Sequence, residues 1–202
     1  MALSLLSLST LLKQQQQTSW QQFSQQYPQS YQRLNVQQLD HFKLSITLSD
    51  FILTSALQAP DLVLALFSNS NSNSNSNSNS NSNSNQKHDQ QSGYQQSIYQ
   101  QDTPDYERLL AELLKDCQTE EQLHRLLRRF RLQQMVSIAV ADLVLNASLK
   151  QSLSRLSLLA DVLIQGSLAW LTQFCQNKWG IPKNDAGETQ PLLVYGMGKL
   201  GG

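Results

Sequence analysis

Three features of the 202-residue sequence predict a mostly α-helical protein: a helical bundle, a long disordered insertion and a strand-loop stub at the end. Apolar residues recur at three- and four-residue steps over 105–180. A Ser-Asn dipeptide repeats nine times from Ser68 to Asn85. Four of the eight glycines fall in the last seven positions, directly after the apolar run Pro191-Leu192-Leu193-Val194-Tyr195.

The composition explains the insertion. Charged residues make up 15 % of the chain and hydrophobic ones 40 %, while 29 Gln, 26 Ser and 13 Asn fill the gap. The first 104 residues carry nine charges and the remaining 98 carry 21. A Ser-Asn tract offers nothing apolar to bury, and its side chains compete with the backbone for hydrogen bonds. Residues 68–104 are therefore expected to be a disordered linker. The formal net charge of zero argues against nucleic acid or an anionic membrane as the main partner, since both require a basic excess. Cys117 and Cys175 are too few for a disulfide framework and lack metal-ligand spacing. No uninterrupted apolar stretch reaches the length of a membrane span. The opening Met-Ala-Leu-Ser-Leu-Leu has no basic start and no small-residue cleavage pattern, so a cytoplasmic chain with reduced thiols is expected.

Residues 1–67 read as a weakly ordered helical segment. Trp20, Phe23, Tyr27 and Tyr31 sit at helical spacing, with a break at Pro28. Ser49-Asp50 caps a helix entering Phe51-Ile52-Leu53, which Pro60 stops, and Asp61 is positioned to cap a short helix to Phe67. Residues 105–180 read as three helices. The first carries Tyr106, Leu109, Leu110, Leu113, Leu114 and Cys117. Thr119 to Gln122 is a capping box for the second, in which Leu123, Leu126, Leu127 and Phe130 oppose Arg125, Arg128, Arg129 and Arg131, and which turns apolar all round from Met135 to Leu145. Ser148 to Gln151 opens the third, whose Leu149, Leu153, Leu156, Ala160, Leu163, Ser167, Trp170 and Phe174 form the expected packing seam; Gly180 and Pro182 end it. At roughly 75 residues such a bundle is only marginally stable alone.

Residues 181–202 hold the chemistry. Residues 191–195 read as a buried strand running into Gly196-Met197-Gly198-Lys199-Leu200-Gly201-Gly202. Glycines after a strand let backbone N–H groups approach phosphate, and a lysine adds a charged donor. Leu200 after Lys199 excludes a P-loop. The formal dinucleotide-binding fingerprint lacks its following helix, strand and acid, so a Rossmann-type protein is a weak alternative. His41, His88 and His124 are scattered without ligand spacing. A solvated face is the simplest reading of the arginine arc, with an acidic partner or a phosphate as the alternative; Asp142 and Asp161 read as polar edge positions.

The glycine string after its strand resembles the active-site entry of the bifunctional glutamine synthetase adenylyltransferase/adenylyl-removing enzymes. The same family is resembled, in order, by Ser49-Asp50-Phe51, Leu127-Arg128-Arg129-Phe130-Arg131, Met135-Val136, Ile138-Ala139, Leu156-Ser157, Leu159-Ala160-Asp161, Trp170-Leu171, Trp179-Gly180-Ile181-Pro182, Gly187-Glu188 and Gln190-Pro191-Leu192-Leu193. The resemblance as a whole covers most of residues 45–67 and nearly all of 105–202. The resemblance implies a nucleotidyltransferase in nitrogen regulation. Its amino-terminal half removes AMP from a tyrosine of glutamine synthetase by phosphorolysis and its carboxyl-terminal half adds AMP from ATP, with Mg²⁺, under direction of the PII signalling protein. Gly196, Gly198, Lys199, Gly201 and Gly202 would then form the nucleotide-phosphate loop. The family's metal-holding Ser-Asp-x-Asp segment, about ten residues beyond that loop, is missing. The expectation is thus a truncated chain with no catalytic residue or metal ligand of its own and negligible activity. A non-catalytic helical interaction module is the alternative.

Overall fold

The computed structural model describes residues 10–68 and 103–196. The expected linker, apart from Ser68, Thr103 and Pro104, lies outside them. Seven helices follow in order: α1 (Thr10–Gln26), α2 (Val36–Leu48), α3 (Asp50–Gln58), α4 (Pro60–Ser68), α5 (Tyr106–Leu114), α6 (Glu120–Leu143) and α7 (Leu149–Trp179). There is no strand among the described residues, and the helical fold class stands. The chain divides into two compact units. One holds the described residues up to 68, with 143–145, and the other holds 103–142 and 146–196.

In the first unit, α1 presents Phe23 to the interior from an otherwise glutamine-rich surface. Its ring meets Phe42 of α2 edge-on at 4.9 Å between centroids, and Phe42 meets Phe67 of α4 in the same way at 5.3 Å. All three are completely buried, together with Ile52, Ala56, Val63 and Leu66. Edge-to-face stacking adds to the stabilisation from burying these rings. Pro28 falls in the turn after α1, as expected, where the Tyr27 hydroxyl donates to the Leu57 carbonyl at 2.7 Å. Helix α2 is an addition to the sequence reading. Its signal is a capping box: Asn35 Oδ1 accepts from Gln38 N and Gln38 Oε1 accepts from Asn35 N, both at 2.9 Å. Ser49 ends α2 and caps α3, accepting from Ile52 N. Asp61 does not cap α4. The helix starts at Pro60, so Asp61 lies within its first turn, because proline suits the first helical position where its missing N–H costs nothing. The axes of α3 and α4 differ by 112°.

The second unit packs Tyr106, Leu110, Leu114, Leu123, Phe130, Ile138, Leu159 and Val162 into one core. Asp105 caps α5 through Arg108 N, Thr119 and Gln122 cap α6 reciprocally, and Ser148 with Gln151 caps α7. The expected boundaries therefore hold closely, although α5 ends at Leu114 rather than Cys117. From Val136 to Ala141, α6 buries Val136, Ser137, Ile138, Val140 and Ala141, as its all-round apolar sequence requires.

The packing face of α7 departs from the expected seam in its first half, whereas Leu163 and Trp170 of that seam pack against the core. The buried residues of the helix are Ser152, Arg155, Leu159 and Val162, whereas Leu149 and Leu153 are 71 % and 54 % exposed and Leu156 is exposed too. Gly166 decides the face: a Cβ there would stand 2.6 Å from Leu110 Cδ2, so α5 lies against α7 where the side chain is missing. Two interleaved apolar rows run along α7, and helical spacing alone does not say which one is covered. By length and composition α7 is also long and apolar enough to cross a membrane. Its apolar residues are not contiguous, because Ser154, Arg155, Ser157, Asp161 and Gln165 among others interrupt the leucines.

Candidate functional site

Gly180, at φ 84°, ends α7, and a tight turn follows. Lys183 and Thr189 form an antiparallel bridge. Gln190 N donates to the Pro182 carbonyl and Asn184 N to the Glu188 carbonyl, each at 2.9 Å. The Asn184 side chain organises the turn: its Oδ1 accepts from Ala186 N and Glu188 N, and its Nδ2 donates to Glu188 Oε2. Gly187 takes φ 81°, where a side chain would be strained. The turn delivers the chain to residues 191–196, which have no regular secondary structure and are exposed throughout. Leu192, Leu193 and Val194 are each more than half exposed, and Tyr195 is 80 % exposed. The expected buried strand is thus absent. A strand exists only through the ladder it shares with a neighbour, and none of the described residues pairs with this segment. Gly196 is exposed at the edge of the described region; Gly198, Lys199, Gly201 and Gly202 lie outside it.

The other sequence candidates are placed as follows. Arg125, Arg128, Arg129 and Arg131 are all exposed on α6, with Arg128 Nε donating to the His124 carbonyl at 3.1 Å. Asp142 and Asp161 are exposed, and Asp142 accepts from Ser152 Oγ at 2.9 Å. Burial lowers the pKa of His41 against the opposing charge of Asp40. His88 lies outside the described residues. Both cysteines are free thiols, and burial raises the pKa of Cys117 against its backbone hydrogen bond at Thr119. The phenol of Tyr106 is pushed up to about 12 by burial, with the Arg155 guanidinium pulling the other way. Among the described residues no group of three or more His, Cys, Asp or Glu is placed to hold a metal ion.

One feature was missed by sequence reasoning. An open groove of about 750 Å³ runs between α5 and α7, lined by Leu110, Leu114, Val162, Gly166, Trp170 and Phe174 among others. The Trp170 and Phe174 rings stack at 4.9 Å and 15°, and the Trp170 indole donates to the Cys117 carbonyl at 3.1 Å. Its sequence signal was a glycine in mid-helix followed four and eight residues later by aromatics.

Residues 84–202 match the family described as glutamate-ammonia ligase adenylyltransferase. The chain belongs to this family. It is 32 % identical over 97 % of its length to the bifunctional glutamine synthetase adenylyltransferase/adenylyl-removing enzyme of Shewanella oneidensis, covering 18 % of that protein. The enzyme of the same name from Vibrio parahaemolyticus is 45 % identical over 48 % of the chain and 10 % of the relative. That from Shewanella woodyi is 31 % identical over 96 % of the chain and 18 % of the relative. The chain thus spans less than a fifth of the length of these adenylyltransferase relatives. No solved structure matches it.

Proposed function

We propose that this chain forms the helical approach to the adenylyl-removing site of a bifunctional glutamine synthetase adenylyltransferase. The activity in question is phosphorolytic removal of AMP from a tyrosine of glutamine synthetase in nitrogen regulation, under PII control in the cytoplasm. The observation carrying this reading is that the family match, over residues 84–202, takes in α5, α6, α7, the Asn184 turn and the glycine string. On this reading the backbone N–H groups of Gly196, Gly198, Gly201 and Gly202 approach nucleotide phosphate, and Lys199 adds a cation. Mg²⁺, where bound, would neutralise charge on the reacting phosphoryl oxygens. The described residues do not fit such an ion, and the sequence contains no Ser-Asp-x-Asp segment. The role of this chain is accordingly support and phosphate binding, with negligible turnover when it stands alone.

The test is phosphorolysis of adenylylated glutamine synthetase with Mg²⁺ and phosphate. We expect no release of ADP and unmodified glutamine synthetase by the 202-residue chain, and clear turnover from a polypeptide extended through the family's Ser-Asp-x-Asp segment. Turnover by the 202-residue chain itself would overturn this assignment of roles. The exposed apolar row of α7 and the α5–α7 groove favour a second reading, a non-catalytic helical module that binds glutamine synthetase. Co-purification of the 202-residue chain with glutamine synthetase, without any turnover, would support it.

A further inference from the structure

Four of the chain's seven arginines fall within the seven residues from Arg125 to Arg131. At about 100° per residue, Arg125, Arg128, Arg129 and Arg131 span an arc of about 160° opposite Leu123 and Phe130, the two core residues of this part of α6. All four are exposed, and no carboxylate is paired with any of them among the described residues. Glu121 shares the arc one turn earlier, yet no ion pair joins it to Arg125. The helix therefore carries like charges at i,i+3 and i,i+4, an arrangement that destabilises it unless an anion lies across them.

We propose that this arc is a docking surface for an acidic protein face. Guanidinium groups present planar forks that match carboxylates two bonds at a time, and four of them in one arc read several carboxylates together. The arc rises only about 9 Å along the helix axis, and the sequence continues with Leu132, Gln133 and Gln134 instead of further basic residues. That is too short a charged track for a nucleic-acid backbone, and the chain carries no net positive charge to extend it. This inference is independent of the phosphate role given to the glycine loop.

The experiment titrates poly-L-glutamate onto the full 202-residue chain, onto R125Q/R129Q/R131Q, and onto K150Q/K178Q/K183Q, which removes the same charge from other exposed positions of the second unit. The arc variant is expected to bind about tenfold more weakly, the sum of three exposed ion pairs, with the lysine variant unchanged. Without ligand the arc variant should melt no lower than the native chain, because it loses only repulsion. Equal weakening in both variants, or no binding by the native chain, overturns the proposal. Tighter binding of short duplex DNA or of phosphatidylserine vesicles than of poly-L-glutamate overturns the choice of an acidic protein. A lower melting temperature for the arc variant would show that the arginines serve the fold instead.

Discussion

The two units distribute apolar surface differently, although both leave some of it exposed. The first, built from four helices of which only one is longer than 13 residues, buries Phe23, Phe42 and Phe67 completely and stitches its segments with side-chain to backbone bonds, such as Gln15 to Thr47 and Tyr27 to Leu57. The second contains the longest helix, about 46 Å by helical rise, and leaves Leu149, Leu153, Leu156 and Ile164 in the open. The glutamine-rich segment encloses an aromatic core while leaving Leu11, Val36 and Phe51 exposed, whereas the longest helix carries a continuous uncovered apolar row. Periodicity measures how well a helix can be covered, and only a neighbour covers it.

The largest expected effect tests the closed side of this contrast. Phe42→Ala removes the ring shared by both aromatic contacts and should cost about 3–5 kcal/mol, read by chemical denaturation of the first unit. A loss under about 1 kcal/mol, the size of an ordinary substitution, would break the picture of a closed aromatic core. The second prediction compares the two rows of α7. Leu159→Ala should cost about 2–5 kcal/mol, while Leu153→Ala should stay within about 0.5 kcal/mol. Equal losses would show that the exposed row is covered after all.

The reciprocal caps sharpen the comparison at smaller scale. Asn35→Ala in the first unit and Ser148→Ala in the second should each cost about 1 kcal/mol. Similar values would show that local capping is worth the same on a covered and on an uncovered helix. The smallest effect concerns pH. Burial sets the folded pKa of His41 below its ordinary 6.5, so the unfolded chain takes up the proton first as pH falls. Stability is held above about 6.5 and declines below it, in the direction required by linkage. Melting curves of the native chain should fall between pH 7.5 and 5.5 more steeply than those of His41→Gln; parallel curves would remove His41 from the account.

Much of the fold was legible because its signals are local. The Thr119 and Ser148 boxes, the Ser49 cap and the Gly180 stop mark helix ends through bonds spanning three or four residues. Helix α2 was missed although Asn35 and Gln38 carry the same signature, because the apolar pattern after them is diluted by Asp40, His41, Lys43 and Ser45. Of the candidate site, the glycine string and the arginine arc were visible as patterns. The α5–α7 groove was not, since it depends on two segments meeting at Gly166.

By itself, then, the sequence determined the helical class, most helix ends and, through an ordered series of motifs, membership of the adenylyltransferase family. Only tertiary structure decided which row of α7 is buried and whether residues 191–195 form a strand. Both depend on what lies alongside. A helix closes its own backbone hydrogen bonds and can be read in isolation, whereas a buried face or a β-ladder is a property of two partners.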